Sequence, residues 1–371
     1  MRIGIDARLY GIKDRGIGRY AEKLIARLEK LDDQNEYYIF LRQDGFDAYQ
    51  SSNKNFHKVL ANFQPYSLKE QIVFPCLLKK YKLDLVHFTH FNAPVFYRKL
   101  FIVTIHDLII TRFPESRRKS TTLPLPLYYL KLFFYHRVLK SAIRRAKKII
   151  AVSEATKKEI IDLFKKEDEK ISVVYEGVDL IEGGKERLIY DPYILYVGAA
   201  YPHKNLERLI IAFDKFIKSS EVLISKKIKL VLVGKNDLFY QRLKDLVKKL
   251  ELIDQVVFTG QASDQELVSY YKHALFLVFP SLAEGFGLPA LEALNYGLPV
   301  AASSVYSLPE VLGPAGYYFD PGNIEEIKKA IEEMVTDDKL RNKLKIEGKE
   351  QAKKFSWEKM AQEISTIYKH F

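Results

Sequence analysis

Two glutamates eight positions apart, Glu284 and Glu292, enclose a turn that contains two glycines in the second half of this 371-residue chain. The apolar run Leu275–Phe279 precedes them and Pro289 suits the first turn of a helix, so the pattern predicts a strand, a loop and a helix. Glycines let backbone N–H groups approach a ligand, and a helix N-terminus attracts an anion. One carboxylate can then bind sugar hydroxyls while the other holds a ribose diol. The alternative is a capping loop followed by an exposed helical glutamate.

A lysine lies at a second junction of the same kind. Gly198 follows the predicted strand Tyr193–Val197, Lys204 stands just before the next helix, and Asn205 is a suitable N-cap. A lysine beside a helix N-terminus does not stabilise the helix, because both are positive. A phosphate between them would remove the repulsion, so the pattern predicts a phosphate site. A solvated loop lysine is the alternative.

The first half of the chain has two further candidates at predicted strand ends. Gly16 and Gly18 lie between the first strand and the first helix, where they either pack against a diphosphate or the acceptor, or form a plain turn. They are not a dinucleotide fingerprint, because Ala21 occupies the position of the third glycine. His106 directly follows the strand Phe101–Ile105, so its ring is expected to point into a ligand cleft. A hydrogen-bonded structural histidine is the alternative.

The composition excludes several kinds of protein and of site. Apolar residues make up 47% and charged residues 29% of the chain, which is typical of a soluble globular protein. The single cysteine, Cys76, excludes an internal disulfide and a multi-cysteine metal site and favours a reducing cytosol. The sequence has no Asp-x-Asp motif, and His87 and His90 are interpreted as packing residues rather than metal ligands. Neither a signal peptide nor a membrane-spanning run is predicted.

Short apolar runs alternate with amphipathic helices in both halves. The predicted strands are Arg2–Asp6, Tyr37–Leu41, Leu83–Phe88, Phe101–Ile105, Lys148–Val152, Ile171–Tyr175, Tyr193–Val197, Lys229–Val233, Gln255–Thr259, Leu275–Phe279 and Val300–Ala302. The predicted helices include Arg19–Leu31, Ser153–Phe164, Leu206–Lys218, Phe239–Leu250, Asp264–His273, Pro289–Tyr296 and Ile324–Thr336. This alternation predicts an α/β protein with two doubly wound parallel sheets and a ligand in the cleft between them. Glycines at 183 and 184 mark the linker, which gives domains 1–184 and 185–355.

The net charge of +12 lies entirely in the first half, since residues 186–371 carry 25 basic and 25 acidic side chains. The segment from Arg112 to Lys148 holds 11 basic residues and one acid, interleaved with aromatic residues. Such a segment can lie on an anionic membrane surface. A solvated basic helix face is the alternative. Nucleic acid is a third polyanion, but no recognisable nucleic-acid-binding motif supports it.

The motifs taken together resemble retaining glycosyltransferases of family 4, which have the GT-B fold of two Rossmann-like domains. The resemblance rests on Glu284 and Glu292 at the family's spacing, the Gly198–Asn205 loop, and the stretches 151–154, 176–179 and 308–311. The opening residues 4–8 and the loop 16–20 are similar to bacterial members that build O-antigen and other surface polysaccharides, many of them mannosyltransferases.

The resemblance implies a role for each motif. Lys204 would neutralise the departing diphosphate, Glu284 would bind the sugar hydroxyls, and Glu292 would hold the ribose. His106 would lie near C6 of the donor sugar and near the acceptor. The other residues implied in nucleotide-sugar binding are Gly16, Gly18, Gly198, Phe286, Gly287 and Leu288. Many members have an arginine where this chain has Ala199, so the second phosphate-binding cation must come from elsewhere or be absent. The last segment, 356–371, would return to the N-terminal domain.

The expected function is therefore metal-independent, retaining transfer of a hexose from a nucleotide-sugar to a lipid-linked or saccharide acceptor at the cytoplasmic face of the membrane. The favoured donor is GDP-mannose, and no metal or other cofactor is expected. The family resemblance implies no dedicated enzymic base, because the leaving phosphate helps to deprotonate the acceptor. A sugar-nucleotide epimerase or hydrolase of similar fold and a non-catalytic nucleotide-sugar-binding protein are the alternatives.

Overall fold

The computed structural model describes residues 1–11, 15–113, 124–219 and 227–371, which divide into two compact units. Within these residues, the first unit is drawn from Met1–Thr111, Thr122–Gly177 and Ser356–Phe371. The second unit comprises Val178–Phe355 together with Arg112 and Phe113. The chain therefore passes from the first unit to the second after Gly177, ahead of the glycines at which the sequence places the linker.

The described residues of the first unit contain one sheet of seven parallel strands. The strands are β1 (Arg2–Asp6), β2 (Glu36–Leu41), β3 (Phe56–Leu60), β4 (Leu85–Phe88), β5 (Phe101–Ile105), β6 (Lys148–Ala151) and β7 (Ile171–Val173), in the spatial order β3-β2-β1-β4-β5-β6-β7. Strands β4 and β5 are buried along their whole length, as is usual in parallel sheets covered by helices. The sequence predicts all of these strands except β3. That edge strand buries only Phe56 and Val59, so its apolar signal is weak.

Helices connect these strands. They are α1 (Arg15–Leu31), α2 (Gln43–Ala48), α3 (Leu68–Lys80), α4 (Ile109–Arg112), α5 (Leu125–Arg145) and α6 (Glu154–Phe164). The predicted start of the first helix at Arg19 is wrong, since α1 begins four residues earlier. Gly16 and Gly18 therefore lie in the first turn of α1 and not in a loop. Gly18, Ala21 and Ile25 are buried and recur at helical spacing, so one continuous helix buries them together.

The described residues of the second unit contain a sheet of six parallel strands. They are β8 (Tyr193–Val197), β9 (Lys229–Val233), β10 (Val256–Gly260), β11 (Phe276–Phe279), β12 (Val300–Ser303) and β13 (Gly316–Phe319), in the order β10-β9-β8-β11-β12-β13. The sequence predicts all of these except β13, another edge strand, in which only Phe319 is buried. The core strand β8 is buried at every position.

The remaining helices are α7 (Leu206–Lys218), α8 (Leu238–Lys249), α9 (Asp264–His273), α10 (Leu288–Asn295), α11 (Leu308–Leu312), α12 (Ile324–Thr336), α13 (Asp338–Ala352) and α14 (Trp357–Tyr368). The last of them, α14, belongs to the first unit and packs against α1, where the Arg27 Nε atom lies 3.6 Å from a carboxylate oxygen of Glu358. Among the described helices, none is both long enough and apolar enough to cross a membrane.

Candidate active site

The second sheet reverses its strand order between β8 and β11, which are hydrogen-bonded neighbours. Open parallel sheets bind ligands beyond the carboxyl ends of their strands at such a reversal point. The loop after β8 carries Lys204, and the loop after β11 carries Glu284. The topology therefore brings two separately predicted motifs to the same ligand-binding edge of one sheet.

Lys204 and Glu284 form an ion pair at this edge. The Lys204 Nζ atom lies 2.6 Å from Glu284 Oε1, and the Ser281 hydroxyl donates to the same carboxylate oxygen at 2.6 Å. The lysine side chain is 17% exposed and the glutamate side chain 8% exposed, so the pair is only partly screened by water. The predicted phosphate-binding lysine thus has a carboxylate partner within the protein, which fixes the position of its ammonium group.

The two loops are also tied together through backbone groups. The Leu282 N–H donates to the His203 carbonyl at 2.7 Å, and the Asn205 side-chain amide donates to the carbonyls of Pro280 at 3.0 Å and Pro321 at 2.8 Å. Asn205 occupies the N-cap position of α7, as the sequence predicts, but its side chain makes no capping bond. Its backbone is left-handed, with φ of 65°, and its amide is used to hold loops. These bonds hold together the loops that follow β8 and β11.

His203 precedes Lys204 and is a candidate for a second cation near a phosphate, since Ala199 occupies the position of the family's arginine. Burial, together with the adjacent Lys204 charge, lowers the pKa of His203 to about 3. The ring is therefore neutral at physiological pH and adds no positive charge. Lys204 is the charged residue that this loop contributes beside Glu284.

The position of Gly198 requires a residue without a side chain. Its φ is 150°, and a Cβ atom built on it would lie 2.8 Å from the Tyr196 hydroxyl oxygen. The Gly198 carbonyl accepts a hydrogen bond from the Tyr240 hydroxyl at 2.8 Å, and the Tyr196 hydroxyl donates to the Ala199 carbonyl at 2.7 Å. Two tyrosines thus hold the backbone of the glycine turn that follows β8, as a predicted phosphate-binding turn requires.

The turn before α10 is equally well supported. Gly287 occupies the N-cap position with φ of 98°, a conformation that favours glycine. The Ser307 hydroxyl lies 3.1 Å from the carbonyls of Glu284 and Phe286. The Phe286 ring is 4% exposed and makes an edge contact with Phe355. Phe286 is therefore a packing residue, and its backbone and that of Leu288 are what this turn can present to a ligand.

Glu292 lies inside α10, as the sequence predicts. Its Oε2 atom accepts a hydrogen bond of 2.8 Å from the Tyr271 hydroxyl, and the Tyr271 ring stacks on Tyr296 with ring centroids 5.6 Å apart. Local sequence patterns do not point to Tyr271, because its partner lies on a different helix. This tyrosine orients the carboxylate that is predicted to hold a ribose diol.

His106 is buried at the carboxyl end of β5 in the first unit, with 8% of its surface exposed. Its Nδ1 atom lies 3.0 Å from Glu176 Oε1, and its Nε2 atom lies 2.9 Å from the Thr89 carbonyl oxygen. A carboxylate and a carbonyl oxygen at these distances favour a proton on each ring nitrogen. Burial alone would lower the pKa of His106, but the hydrogen bond to Glu176 and the charge of that carboxylate outweigh it and raise the pKa. The raised pKa favours the imidazolium form of the ring.

Comparison with known families decides the class of protein. Residues 15–182 match the family described as Glycosyltransferase Family 4, and residues 185–351 match Glycosyl transferases group 1. The chain belongs to glycosyltransferase family 4. This glycosyltransferase is an enzyme with two Rossmann-like α/β domains, which is the GT-B architecture.

Among relatives of the glycosyltransferase, the O-antigen chain mannosyltransferase B of Escherichia coli is 29% identical over 95% of this chain and 96% of its own length. The O-antigen chain mannosyltransferase RfbU of Salmonella typhimurium is 31% identical over 69% of this chain and 66% of its own length. Among solved structures, sucrose-phosphate synthase from Thermosynechococcus elongatus shares the fold, with a TM-score of 0.77 and 20% identity over 100% of this chain and 98% of its own.

Within the glycosyltransferase, the predicted residues fall into two groups. One group lies in the second unit, in the loops that follow β8 and β11 and in α10: Gly198, Lys204, Glu284, Phe286, Gly287, Leu288 and Glu292. The other group, in the first unit, comprises Gly16, Gly18 and His106. Sequence reasoning missed the partners Ser281, Tyr271 and Thr89. It recognised the stretch containing Glu176 but assigned that residue no role. The predicted roles toward a donor remain predictions.

Proposed function

We propose that this glycosyltransferase transfers a mannosyl group from GDP-mannose, with retention of configuration, to a lipid-linked or saccharide acceptor in the synthesis of a bacterial surface polysaccharide. The relatives named above, both mannosyltransferases of O-antigen chains, support the sugar and the product class. The observation that carries the proposal is the Lys204–Glu284 pair at the reversal point of the second sheet. It brings an ammonium group and a carboxylate side by side, and these groups would suit the phosphates and the hydroxyls of a sugar diphosphate.

Lys204 would stabilise the negative charge that develops on the leaving diphosphate. Groups that are already positioned stabilise a transition state most, because no reorganisation is needed during the reaction. Glu284 holds the ammonium group in place before the donor arrives, and the Ser281 hydroxyl donates a second hydrogen bond to the same carboxylate oxygen. The N-terminus of α10 adds a second source of positive potential. In our proposal these groups supply the charge stabilisation that other transferases obtain from a divalent ion.

The contacts of His106, which favour its doubly protonated form, agree with a retaining mechanism that uses no enzymic base. An imidazolium whose two N–H groups bond to Glu176 and to the Thr89 carbonyl has no lone pair with which to accept a proton. The acceptor hydroxyl would instead give its proton to the departing phosphate on the same face of the sugar. His106 would then not serve as the catalytic base.

The proposed reaction is tested with purified protein, GDP-mannose and membranes of the source organism as the supply of acceptors. Transfer of mannose in the presence of EDTA, with an α linkage by NMR, is the expected result, because GDP-mannose carries an α-linked sugar. Release of free mannose without acceptor would indicate a hydrolase instead. Transfer that requires a divalent ion, or a β-linked product, would contradict the proposed mechanism.

Nucleotide selectivity gives a separate measurement. We expect GDP to raise the melting temperature of the protein more than UDP does. A ligand present at about one hundred times its Kd stabilises the native state by about 2.7 kcal/mol. ADP serves as the control nucleotide. An equal or larger shift with UDP would contradict GDP-mannose as the donor while leaving the family assignment intact.

We also propose that the enzyme acts at the cytoplasmic face of the membrane and contacts the membrane surface through α5. Described large apolar side chains exposed on the first half of this helix are Leu125, Leu127, Tyr129, Leu130, Phe133 and Phe134, each between 42% and 57% exposed. Basic residues follow on the same helix, and the Arg137 guanidinium lies 5.9 Å from the Phe133 ring centroid. Rings at the interface and cations among headgroups are typical of a membrane-surface helix. Part of the predicted basic segment, residues 114–123, lies outside the described residues.

Vesicle flotation tests this surface. The wild-type protein should float with vesicles that contain anionic phosphatidylglycerol, and binding should fall at high salt because the attraction is screened. The double variant Phe133→Ser/Phe134→Ser should bind more weakly. Tyr190→Ser, which alters an 82% exposed tyrosine of the second unit, is the matched control. Unchanged flotation of the double variant, or binding that is insensitive to salt, would contradict the proposed surface.

A further inference from the structure

Tyr66, in the loop after β3, combines backbone strain with exposure. Its φ is 68°, which is rare for a bulky residue, and its side chain is 57% exposed. A left-handed conformation of this kind costs about 1–3 kcal/mol, and it persists only where surrounding bonds enforce it. The strained backbone of Tyr66 must therefore be held by bonds to other parts of the protein.

A buried ionic network enforces the conformation. The Tyr66 N–H donates to Glu70 Oε2 at 2.7 Å, and Glu70 is fully buried. The other carboxylate oxygen of Glu70 lies 2.5 Å from the Arg8 guanidinium and accepts from the Asn92 amide at 2.6 Å. Arg8 is itself held by two hydrogen bonds of 2.7 Å to Asp6. The backbone of Tyr66 is thus anchored to the carboxyl end of β1.

The loop after β4 links this ring to His106. Its Thr89 carbonyl accepts from His106, and the next residue, His90, has its Nε2 atom 2.8 Å from the Tyr66 hydroxyl. The Phe91 ring centroid lies 5.9 Å from that of Tyr66. Burial, together with the charges of His106 and Arg8, holds the pKa of His90 well below its usual value, so this ring is neutral. Within the described residues, the buried Nδ1 atom of His90 has no hydrogen-bond partner.

We propose that Tyr66 and His90 form a subsite for a pyranose ring of the saccharide acceptor, next to His106; the inference rests on the proposed function. The exposed aromatic ring packs against the C–H face of the sugar, and the Tyr66 hydroxyl, which lies 2.8 Å from His90 Nε2, can also bond to a sugar hydroxyl. An acyl chain would make no use of this hydroxyl, which favours a sugar over a lipid tail as the occupant. The buried network preorganises the platform, which reduces the cost of ordering it on binding.

The decisive variant is Tyr66→Asn, because asparagine tolerates the left-handed backbone while the aromatic face is lost. We expect the KM for the acceptor to rise about tenfold, since one lost stacking contact corresponds to about 1.4 kcal/mol. The KM for the nucleotide-sugar and the melting temperature should not change. Tyr66→Phe, which keeps the ring, should retain most of the acceptor affinity. Tyr190→Asn controls for loss of an exposed tyrosine elsewhere. An unchanged acceptor KM in Tyr66→Asn would overturn the subsite.

A binding measurement separates this proposal from the proposed function. Octyl α-mannobioside at millimolar concentration should receive saturation transfer from the wild-type protein in NMR, and much less from Tyr66→Asn. This holds whether or not transfer from GDP-mannose is observed. Failure of the wild type to transfer any mannose overturns the proposed function only. Equal saturation of the sugar protons in both proteins overturns the subsite. The subsite is also overturned if Tyr66→Asn loses vesicle binding but keeps sugar binding.

Discussion

Lys204→Ala should lower kcat for sugar transfer by about 10³-fold, with a much smaller change in the KM for the acceptor. The ammonium group is positioned by Glu284 at 2.6 Å and by the loop bonds around it, so its effect is expected mainly in the transition state, when charge develops on the leaving diphosphate. Steady-state kinetics with saturating donor measure this loss. Lys218→Ala, at the exposed far end of the helix that follows Lys204, is the control.

Removing Lys204 also leaves a mostly buried carboxylate without its cation, which destabilises the fold. The double variant Lys204→Ala/Glu284→Gln removes that unpaired charge and should recover melting temperature without recovering activity. If the double variant regained transfer, the lysine would serve only to balance Glu284, and the diphosphate assignment would be wrong. This comparison separates a structural ion pair from a catalytic one.

Glu176→Gln should deprotonate His106 at neutral pH. Without the anionic partner, burial becomes the dominant influence and the pKa of His106 falls below its ordinary value of about 6.5. Histidine ¹⁵N chemical shifts should show two protonated ring nitrogens in the wild type at pH 7 and one in the variant. Transfer activity should fall about tenfold or more, and Glu176→Asp should restore part of it. A neutral His106 in the wild-type spectrum would contradict the imidazolium.

The same pair predicts how stability depends on pH. A histidine whose pKa is raised in the folded state contributes stability that is fully present below its unfolded pKa of about 6.5, and this stability is lost as the pH rises through the folded value. The difference in unfolding free energy between wild type and Glu176→Gln should therefore be largest below about pH 6.5, at about 1.5–3 kcal/mol for a bond to a charged group. Urea unfolding across pH measures it. Glu169→Gln, an exposed substitution nearby in sequence, should show no such trend.

The two sheets illustrate which elements a sequence can predict. Core strands such as β4, β5 and β8 are continuous apolar runs, so their pattern is unmistakable. The edge strands β3 and β13 bury few side chains, and the sequence therefore did not predict them. Helix α3 is not predicted from the sequence, because Pro75 lies in its interior and its apolar residues do not follow one face. These missing elements include the loop and helix start that carry Tyr66 and Glu70.

The sequence by itself determined the residue types of the site and their places along the chain: a lysine and two glutamates at the junctions of strands and helices, which local spacing and turn residues can encode. Only the tertiary structure decided their partners. The Lys204–Glu284 bond, the Tyr271 bond to Glu292 and the His106 contact with Glu176 each join residues far apart in the chain. The physical reason is that pairing depends on which strands are neighbours and on burial, and neither property resides in any short stretch of sequence.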